Sequence, residues 1–164
     1  MGGKHRLNRE VLALSLARLA DALGNGSLFV LIPLYFTTLP EVDFKLPFPL
    51  LIGILISIYG ITSALMQPLM GALSDFFGRR KLFIQTGLLL MSGSTLFFVL
   101  TDNFIVLLVL RFLQGVGGAL AMSASVAHMA AVTEKSTRGE AMGLYNTMRV
   151  VGFAVGPLIG GGLQ

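Results

Sequence analysis

The sequence contains no cysteine, and only 12% of its 164 residues are charged. The first absence removes disulfides, thiol nucleophiles and cysteine-ligated metals, and leaves the redox compartment undecided. The second excludes a soluble enzyme or nucleic-acid-binding module, because a soluble domain carries about a quarter charged residues. Acids are the scarcest group, eight against twelve Lys and Arg, for a net charge of +4. What fills the chain is apolar: 54% of residues are hydrophobic, 20 are glycine, and the mean hydropathy is +0.81. These residues come in long runs, enough for roughly five bilayer spans of ~20 residues each. The composition is that of an all-α integral membrane protein.

Apolar runs divided at charged or turn-rich breaks predict spans at about 11–36, 49–73, 82–100, 104–131 and 139–164. Connections are short, so consecutive spans are expected to pack as antiparallel neighbours. Orientation follows from the Lys and Arg in the flanks. Lys4, Arg6 and Arg9 precede the first span; Arg79, Arg80 and Lys81 follow the second; Lys135 and Arg138 follow the fourth. The intervening loops hold only Lys45. This asymmetry puts the N-terminus in the cytoplasm. The positive charge is thus a topology signal rather than a nucleic-acid footprint. A basic start, an apolar run and the triplet Ala20-Asp21-Ala22 imitate a cleavable leader, but Arg18 interrupts that run and hydrophobicity resumes to Phe36. The last span reaches Gln164 with no polar flank, so the sequence is expected to be part of a longer bundle.

Ionisable groups at a helix centre cost on the order of 2.5–3.5 kcal/mol to insert, so each is a functional candidate. Arg18, Asp21, Arg111 and Arg149 lie well inside spans, and Asp21 is the one acid at membrane depth. It stands about 18 Å along the helix from Arg9. Two readings follow. Asp21 exchanges a proton as the site opens to alternate sides, or Arg18 and Asp21, one turn apart, simply neutralise each other. Asn25 continues the polar face of the first span. In the fourth, Arg111, Gln114, Gly118 and Ser125 fall within an arc of about 60°, with His128 at its edge. A shared aqueous cavity is the favoured reading of these stripes, and interhelical hydrogen bonding the alternative.

The fifth span carries Gly152, Gly156 and Gly160, a ridge for close helix contact, and Pro157, which is expected to kink it. An internal repeat also emerges. Arg18-x-x-Asp21-x-x-Gly24 matches Arg111-x-x-Gln114-x-x-Gly117 at an offset of 93 residues. Pro68-Leu69-Met70-Gly71 matches Pro157-Leu158-Ile159-Gly160 at an offset of 89. The matched spans run in opposite directions, which predicts inverted three-helix repeats, an architecture of secondary transporters.

Three motifs then resemble the N-terminal half of a major facilitator superfamily transporter. Gly71-Ala72-Leu73-Ser74-Asp75-Phe76-Phe77-Gly78-Arg79-Arg80-Lys81 is similar to the family's cytoplasmic loop motif, with Phe76 where a basic residue is usual. Arg111 to Ala119 is similar to its second motif. Gly143, Gly152, Gly156, Pro157, Gly160 and Gly161 resemble the glycine-proline pattern of its drug–proton antiporters. The resemblance implies the first five helices of a six-helix half and a proton gradient as energy source, with no cofactor or metal. It implies roles as well: a cytoplasmic gate at Asp75 and a Gly71/Gly78 turn, with Arg79 and Arg80 in its charge network. Arg111 would belong to proton coupling, and the fifth span would seal against a helix of the other half.

The expected function is therefore proton-coupled efflux of small molecules across the plasma membrane, with Asp21, Arg18, Asn25, Arg111 and Gln114 about a central site. Its partners would be the lipid bilayer, a small-molecule substrate, and a C-terminal six-helix half supplied elsewhere in the chain or by another one. A facilitator or symporter of metabolites and a non-transporting truncated membrane protein are the alternatives. An enzyme has little support, because no acid in the fourth span could orient His128 beside Ser123 and Ser125.

Overall fold

The computed structural model describes residues 3–38 and 47–162. Five helices account for nearly all of them: α1 (Gly3–Thr38), α2 (Phe48–Phe77), α3 (Arg80–Val99), α4 (Phe104–Val132) and α5 (Arg138–Gly162). No strand occurs among the described residues. Glu41, Asp43, Lys45 and Gln164 lie outside them, as do the side chains of Lys4 and Arg6.

The helices begin and end for local reasons. Pro47 and Pro49 bracket the start of α2, where a missing amide proton is no loss. Gly78 ends that helix in the left-handed conformation (φ 63°), its N–H bonded to the Ser74 carbonyl at 3.1 Å. It is the one described residue with positive φ. Asn103 caps α4 by accepting from the Ile105 amide at 2.9 Å. At the other end of α4, Thr133 donates to the Met129 carbonyl and Arg138 to that of Ala130, both at 2.7 Å. α5 runs through Pro157 as an uninterrupted helix, although the ring leaves the Phe153 carbonyl without its usual amide donor.

Four helices are long and apolar enough to cross a bilayer: Arg9–Leu34 within α1, α2, Arg80–Phe98 within α3, and α4. α5 has the length at 25 residues, but it is rich in glycine and carries Arg138, Glu140 and Arg149. The pattern of exposure is that of a membrane bundle. Leu65, Leu89, Leu96 and Leu158 are turned outward, whereas Ser15, Arg18, Ser63, Arg111 and Gln114 are buried. Apolar side chains meet lipid, and polar ones need partners inside the protein.

The chain divides into two compact units. One consists of α1, α5 and the end of α4 from His128 onward. The other consists of α2, α3 and α4 up to Ala127.

In the first unit, α1 and α5 meet main chain to main chain. A methyl group placed on Gly152 would come within 2.5 Å of the Ala22 Cβ, and one on Gly156 within 2.7 Å of the Leu23 carbonyl oxygen. One on Gly160 would lie 3.0 Å from the Ser27 carbonyl oxygen. Ser27 Oγ lies 2.8 Å from the Gly156 carbonyl and 2.9 Å from that of Leu23. The ridge of α5 is thus covered by α1 of the same chain. Gly143 and Gly161, from the same motif, have open space where a side chain would go.

In the second unit, Gly87 of α3 and Gly117 of α4 approach closely, a methyl on either meeting the other's carbonyl oxygen at 2.6–2.8 Å. Gly115 packs against Thr62 of α2 in the same way, at 2.8 Å, and Gly118 lies against Tyr59 and Ser63.

The repeat predicted from sequence places one contact of the first unit within a few residues of contacts in the second. Moved by its two offsets, the Ala22–Gly152 contact becomes Gly115 and Ser63. Gly115 meets Thr62, the immediate neighbour of Ser63, and Ser63 meets Gly118.

Candidate functional site

The first unit holds the buried acid. Arg18 Nη1 donates to Asp21 Oδ2, and Asn25 Nδ2 donates to Asp21 Oδ1 at 2.9 Å and to its carbonyl at 3.0 Å. Positions 18, 21 and 25 share one helix face because they are three and four residues apart. The Asp21 side chain is 8% exposed and Arg18 is 7% exposed. From α5, Tyr145 presents its ring 5.8 Å from Arg18 Cζ, within cation–π range. The Arg18 Nε is buried without a hydrogen-bond partner.

The second unit repeats the motif without the acid. Arg111 Nη1 donates to Gln114 Oε1 at 3.2 Å, and Gln114 Nε2 donates to Thr95 Oγ1 of α3 at 3.0 Å. Thr95 in turn donates to the Met91 carbonyl at 2.9 Å. The Phe98 ring centroid lies 5.4 Å from Arg111 Cζ. Arg111 is 4% and Gln114 2% exposed. Gln114 therefore makes the interhelical bond that stood as the alternative to a cavity lining. Arg149, the fourth charge placed inside a span, is exposed on α5.

The α2–α3 connection carries the third group. Asp75 Oδ1 accepts from Arg80 Nη2 at 2.8 Å and Nε at 3.2 Å, while Arg80 Nη1 donates to the Ala127 carbonyl of α4 at 3.1 Å. Arg80 thus fastens the α2–α3 turn to the last turns of α4. Gly78 alone makes that turn. Gly71, expected to share it, lies inside α2 beside Ser123, because an apolar run carries the helix on to Phe77. Arg79 stands exposed.

His128 Nε2 lies 3.5 Å from Glu10 Oε2 of α1. The histidine thus has an acid nearby that spacing within α4 did not reveal. Ser123 donates to its own helix at the Ala119 carbonyl, 2.7 Å away. Among the described residues no three His, Asp or Glu side chains gather to hold a metal.

Tyr145, Thr95, Phe98 and Ser27 were not singled out from sequence. All are uncharged, and only knowing which helix faces which reveals their part. The one available signal was that a buried arginine needs neighbours of some kind.

A helical, multi-pass membrane protein with polar clusters inside its helices is the class that this fold and these sites define. The family model described as Major Facilitator Superfamily matches residues 14–163, and the chain belongs to that family of transporters. It is 27% identical over 156 residues to an uncharacterized MFS-type transporter of Methanocaldococcus jannaschii, covering 95% of this chain and 39% of that one. Multidrug resistance protein 2 of Bacillus subtilis is 36% identical over 109 residues, 66% of this chain and 27% of the relative. Quinolone resistance protein NorA of Staphylococcus aureus is 27% identical over 155 residues, 94% and 38% respectively. The chain spans about two-fifths or less of the length of these relatives.

Proposed function

We propose that the chain provides the N-terminal helices of a proton-coupled exporter of small amphipathic molecules, working by alternating access in the cell membrane with its N-terminus in the cytoplasm. The observation that carries the reading is Asp21, an acid buried in a membrane-spanning helix with both carboxylate oxygens engaged by donors. An acid at that depth is rarely tolerated without a use, and a carboxylate exchanging one proton per cycle is the simplest coupling device. Family membership and relatives named for multidrug and quinolone resistance support export. The excess of Lys and Arg in the flanks supports the orientation.

In this reading, proton and substrate alternate at one site: a proton on Asp21 takes away the counter-charge of Arg18, and its release restores the ion pair. Asp75, Arg80 and the Gly78 turn act as the cytoplasmic fastening that one conformation keeps and the other releases. The remainder of the substrate path comes from residues beyond these five helices, in the same polypeptide or in a partner. The test is efflux of a fluorescent amphipathic dye from vesicles carrying the complete transporter under an imposed pH gradient. Asp21→Asn is expected to abolish gradient-driven efflux while leaving membrane insertion intact. Efflux in that variant that still follows the pH gradient would sink the carrier role.

A further inference from the structure

We infer that Tyr145 is a positioning residue for the proton site, its ring holding the Arg18 guanidinium whenever Asp21 is neutral. The inference rests on the reading of Asp21 as proton carrier and extends that site from α1 to α5. Asp21 turns both oxygens toward donors, Arg18 Nη1 on one and Asn25 Nδ2 on the other. A proton arriving on the carboxylate therefore weakens the bonds that both donors make to it. It also cancels the charge that balances Arg18.

Arg18 cannot answer by turning to water, because it is 7% exposed. Its Nε already lacks a hydrogen-bond partner. What faces it from the packed helix is the Tyr145 ring, 5.8 Å away and itself 6% exposed. A cation is drawn to an aromatic face at this distance, and more strongly when both are removed from water. The other ionisable groups on the elements packed here are placed otherwise. Arg149 is exposed on α5, Arg138 and Glu140 stand at the start of that helix, and His128 faces Glu10, about three turns of α1 before Asp21.

The ring therefore acts selectively. While Asp21 is ionised, Arg18 already has a counter-charge and the ring adds little. When Asp21 takes up a proton, the ring is the main attraction left to the cation. Removing it penalises the protonated state, and a pH titration reads that penalty directly.

The protein is reconstituted in lipid vesicles and titrated by infrared difference spectroscopy, following the carbonyl stretch of a protonated carboxylic acid. Asp21→Asn identifies the Asp21 band. Tyr145→Leu is expected to move the midpoint of that band to lower pH by about half a unit to one unit. Tyr145→Phe, which keeps the ring and packs alike, is expected to leave it in place, and Tyr145→Trp to move it upward. A midpoint unmoved in both the Leu and Trp variants would overturn the inference. So would a shift in the Phe variant equal to that in Leu, which would assign the effect to the hydroxyl. If Asp21→Asn removes no titrating band, the proton-carrier reading falls and this inference with it. A band that titrates but ignores Tyr145 removes this inference alone.

Discussion

The two units of the chain build the same device from different chemistry. In each, a buried arginine reaches an acceptor three residues on, and an aromatic ring supplied by another helix covers the guanidinium. On α1 the acceptor is Asp21 and the pair is neutral. On α4 it is Gln114, a neutral amide that passes the contact on to Thr95. Helix spacing fixes the geometry of both. The identity of one side chain decides whether the site can change its charge with pH. Of these two frames, only the one on α1 offers a carboxylate for a proton.

The glycine seams are where the comparison breaks most severely. Gly156→Leu in the α1–α5 seam and Gly87→Leu in the α3–α4 seam each force a side chain into main chain. Either is expected to lower stability by about 3 kcal/mol, as overpacking does at its upper end, read as thermal unfolding in detergent. Equal losses would mean the seams are equivalent. A tolerated Gly156→Leu would show that α1 and α5 do not meet as described.

Next comes the charge itself. Gln114→Glu gives α4 the acid that α1 has but takes away the amide that donates to Thr95, so the stronger pairing with Arg111 is expected to be largely offset and stability to change by about 1 kcal/mol or less near neutral pH. A loss well beyond that would show that the bond to Thr95 matters more than the added charge.

Arg80→Ala removes the tie between the α2–α3 turn and α4. Its partner Asp75 is 56% exposed, so a loss of about 1 kcal/mol or less is expected, shrinking at high salt. The smallest effect is at Gly24, the counterpart of Gly117. Nothing stands where its side chain would go, and Gly24→Ala should be neutral or stabilising by up to about 1 kcal/mol through helix propensity.

Much of the fold was legible, because a bilayer demands long apolar runs and these are visible without partners. Helix ends were less so. α1 begins at Gly3 rather than near Val11, and α2 continues to Phe77, because a helix does not stop where its hydrophobicity does. The pairing of Arg18 with Asp21 could be read from spacing. The roles of Tyr145 and Thr95 could not, since a neutral side chain acquires meaning only from the helix it faces. The ridge on α5 was correctly recognised as a contact surface. That α1 lies on it could not be read, because small residues specify closeness and say nothing about what comes close.

The seam between α1 and α5 has a mechanical consequence. Ordinary helix interfaces are cushioned by side chains that can switch rotamer, so one helix can slide a little past the other. Here Gly26, Gly152, Gly156 and Gly160 leave no such cushion, and the Ser27 hydroxyl sits between carbonyl oxygens of both helices. Shear along this line would drive backbone atoms into one another before any new arrangement could form. The two helices therefore share a single register and must travel together, as one stiff lever, in any motion the protein makes.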